Sequence, residues 1–237
     1  MVVARSPQTE PPQGDRRPVR ARSAAPFQWA GARLARAGVA PNVISVSSFV
    51  FASLAGALLM WTAWLAPGSL GARAAWVGAG ALVAIRLVAN VLDGLVAIEY
   101  HRRSPLGGLL NELPDRFSDA VILIGLGYAA GGRVELGYGA ATVAVIVAYL
   151  RELGRRLGSR NHFVGPMAKP HRMYLVIACC TLMALLPAGW IARATWRGHG
   201  PASAALAFII TLGLVTIVRR FVLIAGDLAH APAETDA

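Results

Sequence analysis

The chain has 237 residues, of which 56% are hydrophobic and 15% are charged, and its mean hydropathy is +0.53. Soluble domains carry about 25% charged residues, so this composition argues against a soluble protein and favours an integral membrane protein. The net charge is +11, but no basic stripe interleaved with aromatic residues is present, and we therefore expect no nucleic-acid partner. Anionic membrane lipids and a phosphorylated substrate fit this charge better.

The first 38 residues precede the apolar part of the chain. Residues 1–25 are rich in Arg, Pro, Ser and Gln and have almost no large apolar side chain, which predicts a disordered basic arm. Residues 26–38 mix aromatic and aliphatic side chains with two arginines. This second stretch is either a short interfacial helix or an irregular lead-in to the membrane.

Six apolar segments follow the arm. They lie at about 43–65, 74–98, 107–131, 136–157, 172–192 and 202–225. The first of them has no charged residue over 23 positions, which is enough to cross the hydrocarbon layer at about 1.5 Å per helical residue. We therefore predict an all-α integral membrane protein with a six-helix membrane domain at 39–228 and a short tail at 229–237.

The distribution of Lys and Arg predicts how the chain is oriented in the membrane. If the N-terminus is cytoplasmic, eighteen Lys and Arg residues lie on the cytoplasmic side and four lie on the opposite side. Cytoplasmic loops carry the excess of positive charge in multi-pass proteins. We therefore predict that both termini are cytoplasmic, in a cell inner or plasma membrane.

Polar residues mark the cytoplasmic ends of the second and third predicted helices. Asn90 and Asp93 are three positions apart, and Asn111 and Asp115 are four apart, so each pair shares one helical face. The connection contains Pro105, and the residue before a proline disfavours helical geometry, so we expect the first helix to end ahead of it. Because the connection is short, we expect the two helices to be antiparallel neighbours. Carboxylates at a membrane edge are costly and usually functional. The simpler alternative is a solvated helix end.

The composition of this cluster predicts the kind of ligand. Carboxylate and amide oxygens, with no His or Cys at metal-binding spacing, favour a hard cation, Mg²⁺ or alternatively Mn²⁺. Magnesium usually keeps coordination positions for substrate phosphates. Small residues nearby, including Gly107 and Gly108, either let a ligand approach the backbone or let the helices pack closely.

The cluster also resembles a family signature. From Asn90 to Asp115 the sequence reads N-x2-D-G-x2-A-I-x8-G-x3-N-x3-D, which is similar to the pattern D-x2-D-G-x2-A-R-x8/9-G-x3-D-x3-D of the CDP-alcohol phosphotransferases. These are integral membrane enzymes of phospholipid synthesis. The spacing agrees at every step, and "APNVIS" at 40–45 resembles the family's approach to its first helix. This chain has Asn90 and Asn111 in place of two aspartates, and Ile98 in place of the arginine.

The resemblance implies a reaction and roles for individual residues. In the family four aspartates bind two divalent ions and the last is the general base, which implies Asp115 as the catalytic base here. The implied metal ligands are Asn90, Asp93, Asn111 and Asp115, and the implied nucleotide contacts are Asn90, Gly94, Ala97 and Gly107. The implied reaction moves a phosphatidyl group from a CDP-linked lipid such as CDP-diacylglycerol to an alcohol, with release of CMP. The family also implies a homodimer.

The two asparagines leave alternatives open. An amide oxygen can coordinate a cation but carries no charge, so we expect weaker metal binding, a single ion, or help from Glu99, Glu112 or Asp119. A degenerate homologue that binds nucleotide or lipid, or scaffolds lipid synthesis, is the alternative function. A small transporter with Arg86 and Asp93 in an ion pathway is a third interpretation.

A basic loop at 150–172 is the second polar feature. One interpretation is a topology loop bound to anionic headgroups. The other is a pocket for a phosphorylated acceptor, since arginine makes bidentate contacts with phosphate. The residues predicted for that pocket are Arg155, Lys169 and Arg172.

Overall fold

A computed structural model describes residues 24–99 and 107–230. Within these two ranges the chain forms helices and one isolated bridge between Trp196 and His199, with no strand. The helices are α1 (Ala25–Arg36), α2 (Pro41–Trp61), a 3₁₀ turn (Thr62–Trp64), α3 (Leu70–Glu99), α4 (Gly107–Tyr128), α5 (Val134–Arg156), α6 (Lys169–Leu185), α7 (Ala188–Ala194) and α8 (Pro201–Ala229). Nearly all of the predicted arm and most of the predicted tail lie outside the described residues.

Prolines set the beginnings of several helices. Pro41 and Pro201 each occupy the first position of a helix, where the missing N–H costs nothing because that donor has no intrahelical partner. The stretch at 26–38 is a helix, α1, over most of its length. Buried residues of α1, α2 and α3 then form a small apolar cluster, made by Ala35, Ile44, Ala89 and Val96.

The predicted apolar segments correspond to long helices. Four helical stretches of the described chain are long and apolar enough to cross a membrane, namely Pro41–Trp64, Leu70–Ala97, Val134–Arg156 and Pro201–Ala229. The helices α4 and α6 do not meet the same criterion; α4 carries the polar cluster and α6 has 17 residues. The fold is therefore all-helical and of the membrane type, and the count of six spans stays a prediction.

The fifth predicted segment, 172–192, is not one continuous helix. The structure ends α6 at Leu185 and begins α7 at Ala188. Pro187 has no N–H to donate, and the residue before a proline is driven out of the helical region. Leu186 accordingly has extended backbone angles, φ −66° and ψ 137°. The apolar composition of this segment concealed the break.

Close helix packing organises the bundle. The helix α2 packs against both α3 and α4, α4 packs against α5, α3 against α6, and α5 against α8. Many core positions are alanines, as is common where membrane helices approach closely. At Gly125 a Cβ atom would lie 2.7 Å from the Cα atom of Gly56, so the backbones of α2 and α4 are in direct contact there.

The loop between α5 and α6 is fastened to the end of α8. Asp227 accepts hydrogen bonds from the Ser159 hydroxyl at 2.8 Å and from the Arg160 backbone N–H at 3.0 Å, and its Oδ2 lies 2.8 Å from His162 Nε2. Arg220 donates to the carbonyl oxygen of Val164 at 3.0 Å. These contacts fix the path of the chain into α6.

Candidate functional site

The ends of α3 and α4 bring their polar faces together as the spacing predicts. Asn90 Nδ2 on α3 donates to Asp115 Oδ1 on α4 at 2.8 Å. Arg86, one turn before Asn90, donates through Nη2 to the same oxygen at 3.3 Å and to the Asp115 backbone carbonyl at 3.2 Å. Asp115 is buried, so these donors compensate a carboxylate that is largely removed from water.

A third helix reaches this junction through Lys169, the first residue of α6. Its ammonium donates to Asn90 Oδ1 at 2.9 Å and also contacts Asp115 Oδ2. The Asn90 amide is therefore used at both ends, with its nitrogen towards Asp115 and its oxygen towards Lys169. This junction of α3, α4 and α6 joins three of the residues predicted from the sequence.

Asp93 lies one turn further along α3 and is 3% exposed. Its Oδ2 accepts a hydrogen bond from the Ser45 hydroxyl of α2 at 2.8 Å. Its Oδ1 is buried and has no hydrogen-bond partner among the described residues. Asp115 and Lys169 are both within electrostatic range of this carboxylate. A buried charged oxygen without a partner is costly, and a bound cation would remove that cost.

Asp119 is held between two arginines. Arg86 Nη2 donates to its Oδ1 at 2.8 Å, and Arg172 Nη2 donates to its Oδ2 at 2.7 Å. All three side chains are buried. Arg172 also donates through Nη1 to the Met167 carbonyl at 2.9 Å. Both Asp119 oxygens are thus used, and this arrangement, which we call the Asp119 triad, ties α3, α4 and α6 together.

The remaining predicted acceptor residue, Arg155, forms its ion pair within α5. Arg155 is exposed near the end of α5 and pairs with Glu152 at 2.9 Å. Glu112 pairs with Arg151 at 3.1 Å and also contacts Arg116. Both Glu112 and Arg155 therefore take part in a network of partly exposed ion pairs.

Three of the predicted nucleotide contacts lie at the end of α3 and at the beginning of α4. Gly94 and Ala97 are partly buried on the last turns of α3, and Gly107 begins α4. The side chains of Ile98, Glu99 and Asn111 lie outside the part of the chain that the structure describes, so the predictions for them stay as made.

Sequence reasoning missed Ser45 and the role of Asp119. Ser45 is the last residue of "APNVIS", the stretch that resembles the family's approach to its first helix. That resemblance was the feature of the sequence that could have indicated a role for Ser45. Asp119 shares the helical face of Asp115, but spacing alone does not reveal that Arg86 and Arg172 approach it from two other helices.

Asp93 offers a buried oxygen that a divalent cation would fit. Among the described residues no three His, Cys, Asp or Glu side chains meet at metal-binding distance. Asp93, with its unpartnered Oδ1, is the carboxylate that a cation would satisfy best. Asp115 is the second carboxylate of the site, and both of its oxygens already accept hydrogen bonds from neighbouring side chains.

The sequence model for the CDP-alcohol phosphatidyltransferases matches residues 38–226 of this chain. The chain belongs to this family. The match covers most of the chain and includes the junction, so the resemblance read from the residues at 90–115 is confirmed. This CDP-alcohol phosphatidyltransferase is accordingly an enzyme of the transferase class.

Curated relatives are found among archaeal and bacterial enzymes. The transferase is 30% identical over 195 residues to the archaetidylinositol phosphate synthase of Aeropyrum pernix, covering 82% of this chain and 88% of that one. It is 28% identical over 189 residues to the enzyme of the same name from Methanothermobacter thermautotrophicus, covering 79% and 84%.

Solved structures show the same fold. The phosphatidylinositol phosphate synthase of Mycobacterium tuberculosis with CDP-DAG bound superimposes with a TM-score of 0.66 at 19% identity, covering 90% of this transferase and 98% of that chain. A second structure of that protein, in complex with manganese and citrate, has a TM-score of 0.65 at 19% identity and covers 89% and 92%.

Proposed function

We propose that this CDP-alcohol phosphatidyltransferase moves a phosphatidyl group from CDP-diacylglycerol, or a similar CDP-linked lipid, to an inositol phosphate, with release of CMP. The observation that carries the proposal is the junction of Asn90, Asp115 and Lys169, beside a buried carboxylate that has an unpartnered oxygen. The names of the relatives support an inositol phosphate as the acceptor. The solved relative with bound CDP-DAG supports the donor.

Asp93, whose Oδ1 has no described partner, is the residue that would chiefly hold Mg²⁺ or Mn²⁺. Asn90, Asn111 and Asp115 are the other ligands that the family resemblance implies. A divalent cation bound there would neutralise charge on the pyrophosphate of the nucleotide-linked lipid. Manganese in a solved relative supports such a cation here. Asn90, Gly94, Ala97 and Gly107 are the residues that we propose for contacts with the nucleotide.

Asp115 serves as the general base. Its side-chain oxygens contact Arg86, Asn90 and Lys169. A base must reach the acceptor hydroxyl directly or through one water. The acceptor oxygen gives its proton to Asp115 and forms a bond to the lipid-side phosphorus. The bond from that phosphorus to the CMP oxygen breaks, and CMP leaves with the bonding electrons.

The acceptor phosphate binds on the basic side of the junction. Of the three predicted residues, Lys169 lies beside the base, and Arg155 lies at the exposed end of α5. Arg172 is buried and bonded to Asp119, so we propose that it positions the first turn of α6 instead of contacting the acceptor.

The same proposal includes the location of the enzyme. Both termini and the junction face the cytoplasm, where CDP-linked and phosphorylated substrates meet, in an inner or plasma membrane. The predicted homodimer is part of this proposal, and the apolar outer faces of α2, α5 and α8 leave surface for lipids or a second copy.

The proposal is tested with purified protein in liposomes that contain CDP-diacylglycerol with labelled cytidine. With Mg²⁺ and inositol phosphate we expect CMP release and a lipid product of the mass of phosphatidylinositol phosphate. Asp93→Asn and Asp115→Asn should each abolish turnover. Glu135→Gln, at the exposed start of α5, is the matched control and should keep it.

Other outcomes are equally informative. The enzyme could instead release CMP with glycerol 3-phosphate, serine or a lipid alcohol and not with inositol phosphate. That result would change the proposed acceptor but support the proposed transfer reaction. Intact CDP-lipid recovered with every acceptor would contradict the reaction and favour the degenerate homologue that binds nucleotide or lipid.

A further inference from the structure

We infer that the Lys169 ammonium takes the place of a second cation, so that this site holds one divalent ion, at Asp93. The inference rests on the proposed function, and it deepens that function by assigning what the asparagine at position 90 does. Three features of the site support it.

The first contact set is that of Asp115. Asn90 and Arg86 donate to its Oδ1, at 2.8 and 3.3 Å, and the Lys169 ammonium contacts its Oδ2. Both carboxylate oxygens therefore already face hydrogen-bond donors, two of which are cationic. A divalent ion placed on the same carboxylate would have to approach these positive charges, which is electrostatically unfavourable.

The second is the orientation of the Asn90 amide. Its nitrogen faces the Asp115 carboxylate and its oxygen faces the Lys169 ammonium. Reversing the amide would place oxygen against oxygen and N–H groups against an ammonium. An aspartate at position 90 could accept from Lys169, but it could not donate to Asp115. The asparagine therefore suits a lysine at this junction, whereas an aspartate would suit a bridging metal ion.

The third is the contrast between the two carboxylates. Asp93 has one oxygen bonded to Ser45 and one buried oxygen with no partner among the described residues. Asp93 is thus the carboxylate with an oxygen left for a cation to bind. One divalent ion at Asp93 and one ammonium at Asp115 give each carboxylate its own cation.

The test counts bound manganese. Purified full-length protein in detergent is titrated with Mn²⁺, and free Mn²⁺ is measured by electron paramagnetic resonance, which needs no turnover. We expect one ion per chain for the natural protein and for Lys169→Arg. We expect two for the double variant Asn90→Asp with Lys169→Met, which removes the ammonium and adds a carboxylate.

The single variant Lys169→Met gives a second measurement that does not depend on the double variant folding. Removing a positive charge beside the site should tighten the binding of the one ion, on the order of tenfold, which corresponds to about 1.4 kcal/mol. Arg156→Met is the matched control: it also removes one positive charge, but from an exposed position at the end of α5. It should change neither the number of ions nor their affinity.

Two ions bound to the natural protein would overturn the inference, as would a folded double variant that still binds one. Equal or weaker Mn²⁺ binding in Lys169→Met would also overturn it. Circular dichroism and gel filtration establish that each variant is folded. Failure of the proposed function is a separate result. CMP release by a protein that binds two ions would contradict only this inference. One bound ion without CMP release would contradict only the proposed function.

Discussion

Gly56 on α2 and Gly125 on α4 bring the backbones of the two helices into direct contact. A Cβ atom at Gly125 would lie 2.7 Å from both the Cα and the carbonyl oxygen of Gly56, closer than van der Waals contact allows. No flexible side chain lies between them, so the contact cannot adapt by a change of rotamer. The spacing of α2 and α4 depends on the absence of two side chains.

Gly125→Ala should therefore destabilise the bundle by about 1–3 kcal/mol, because α2 and α4 must separate to admit the methyl group. The measurement is unfolding by SDS in mixed micelles, followed by circular dichroism. Gly226→Ala is the matched control: it lies in α8 with no atom within 4 Å of the added methyl group. That change should stabilise the protein by roughly 0.5–1 kcal/mol. Equal effects of the two changes would contradict the packing argument.

Asp119→Asn should lower the free energy of unfolding by about 3–5 kcal/mol. It removes the negative charge that compensates two buried guanidinium groups, those of Arg86 and Arg172, and breaking a buried ion pair on one side has a cost of this size. The same SDS titration measures it. Glu152→Gln, which removes a carboxylate from the partly exposed pairs of Arg151 and Arg155, should cost no more than about 1 kcal/mol. A loss as small for Asp119→Asn would show that the triad does not hold the helices together.

Ser45→Ala should weaken Mn²⁺ binding by about 10- to 100-fold, because the Ser45 hydroxyl orients the Asp93 carboxylate and such supporting contacts have effects of this size. Electron paramagnetic resonance of free Mn²⁺ gives the affinity. Ser53→Ala removes a hydroxyl of the same helix that donates to the Phe49 carbonyl at 2.9 Å, and it should leave binding unchanged. Unchanged binding in Ser45→Ala as well would place the ion elsewhere.

Single cysteines should report the orientation in the membrane. The natural Cys179 and Cys180 are buried and should not react with a membrane-impermeant maleimide. A cysteine at Arg193, exposed on α7, should be labelled in intact cells, and one at Arg156, exposed at the end of α5, only after permeabilisation. The reverse pattern would place the junction on the outer face of the membrane.

The sequence predicted that the polar faces of α3 and α4 converge, and the hydrogen bond between Asn90 and Asp115 agrees with that prediction. Among the described residues the two helices do not pack extensively against each other as the predicted neighbours would, since α2 packs against both. The sequence did not predict what a third helix adds. Lys169 and Arg172 are three positions apart on one face of α6, but the position of that face depends on a loop fastened to Asp227 from a distant part of the chain. A pattern within one segment carries no information on such a contact.

The helix boundaries show a similar division. Pro41 and Pro201 mark helix beginnings that local chemistry determines, whereas the break at Pro187 was obscured by apolar residues on both sides. The role of Arg155 was equally hard to read: its charge suits a phosphate, but in the structure it pairs with Glu152 on the exposed end of α5. Charge identifies candidate residues, and the tertiary contacts decide which of them reach the site.

The Asp119 triad has an evolutionary consequence. Each of its three members pairs with a charge on another helix, so a mutation in any one of them changes the balance of charge among buried groups. Descendants of this sequence should therefore inherit Arg86, Asp119 and Arg172 together or lose them together, with apolar residues filling the space. Intermediates that keep only one or two of them should be rare.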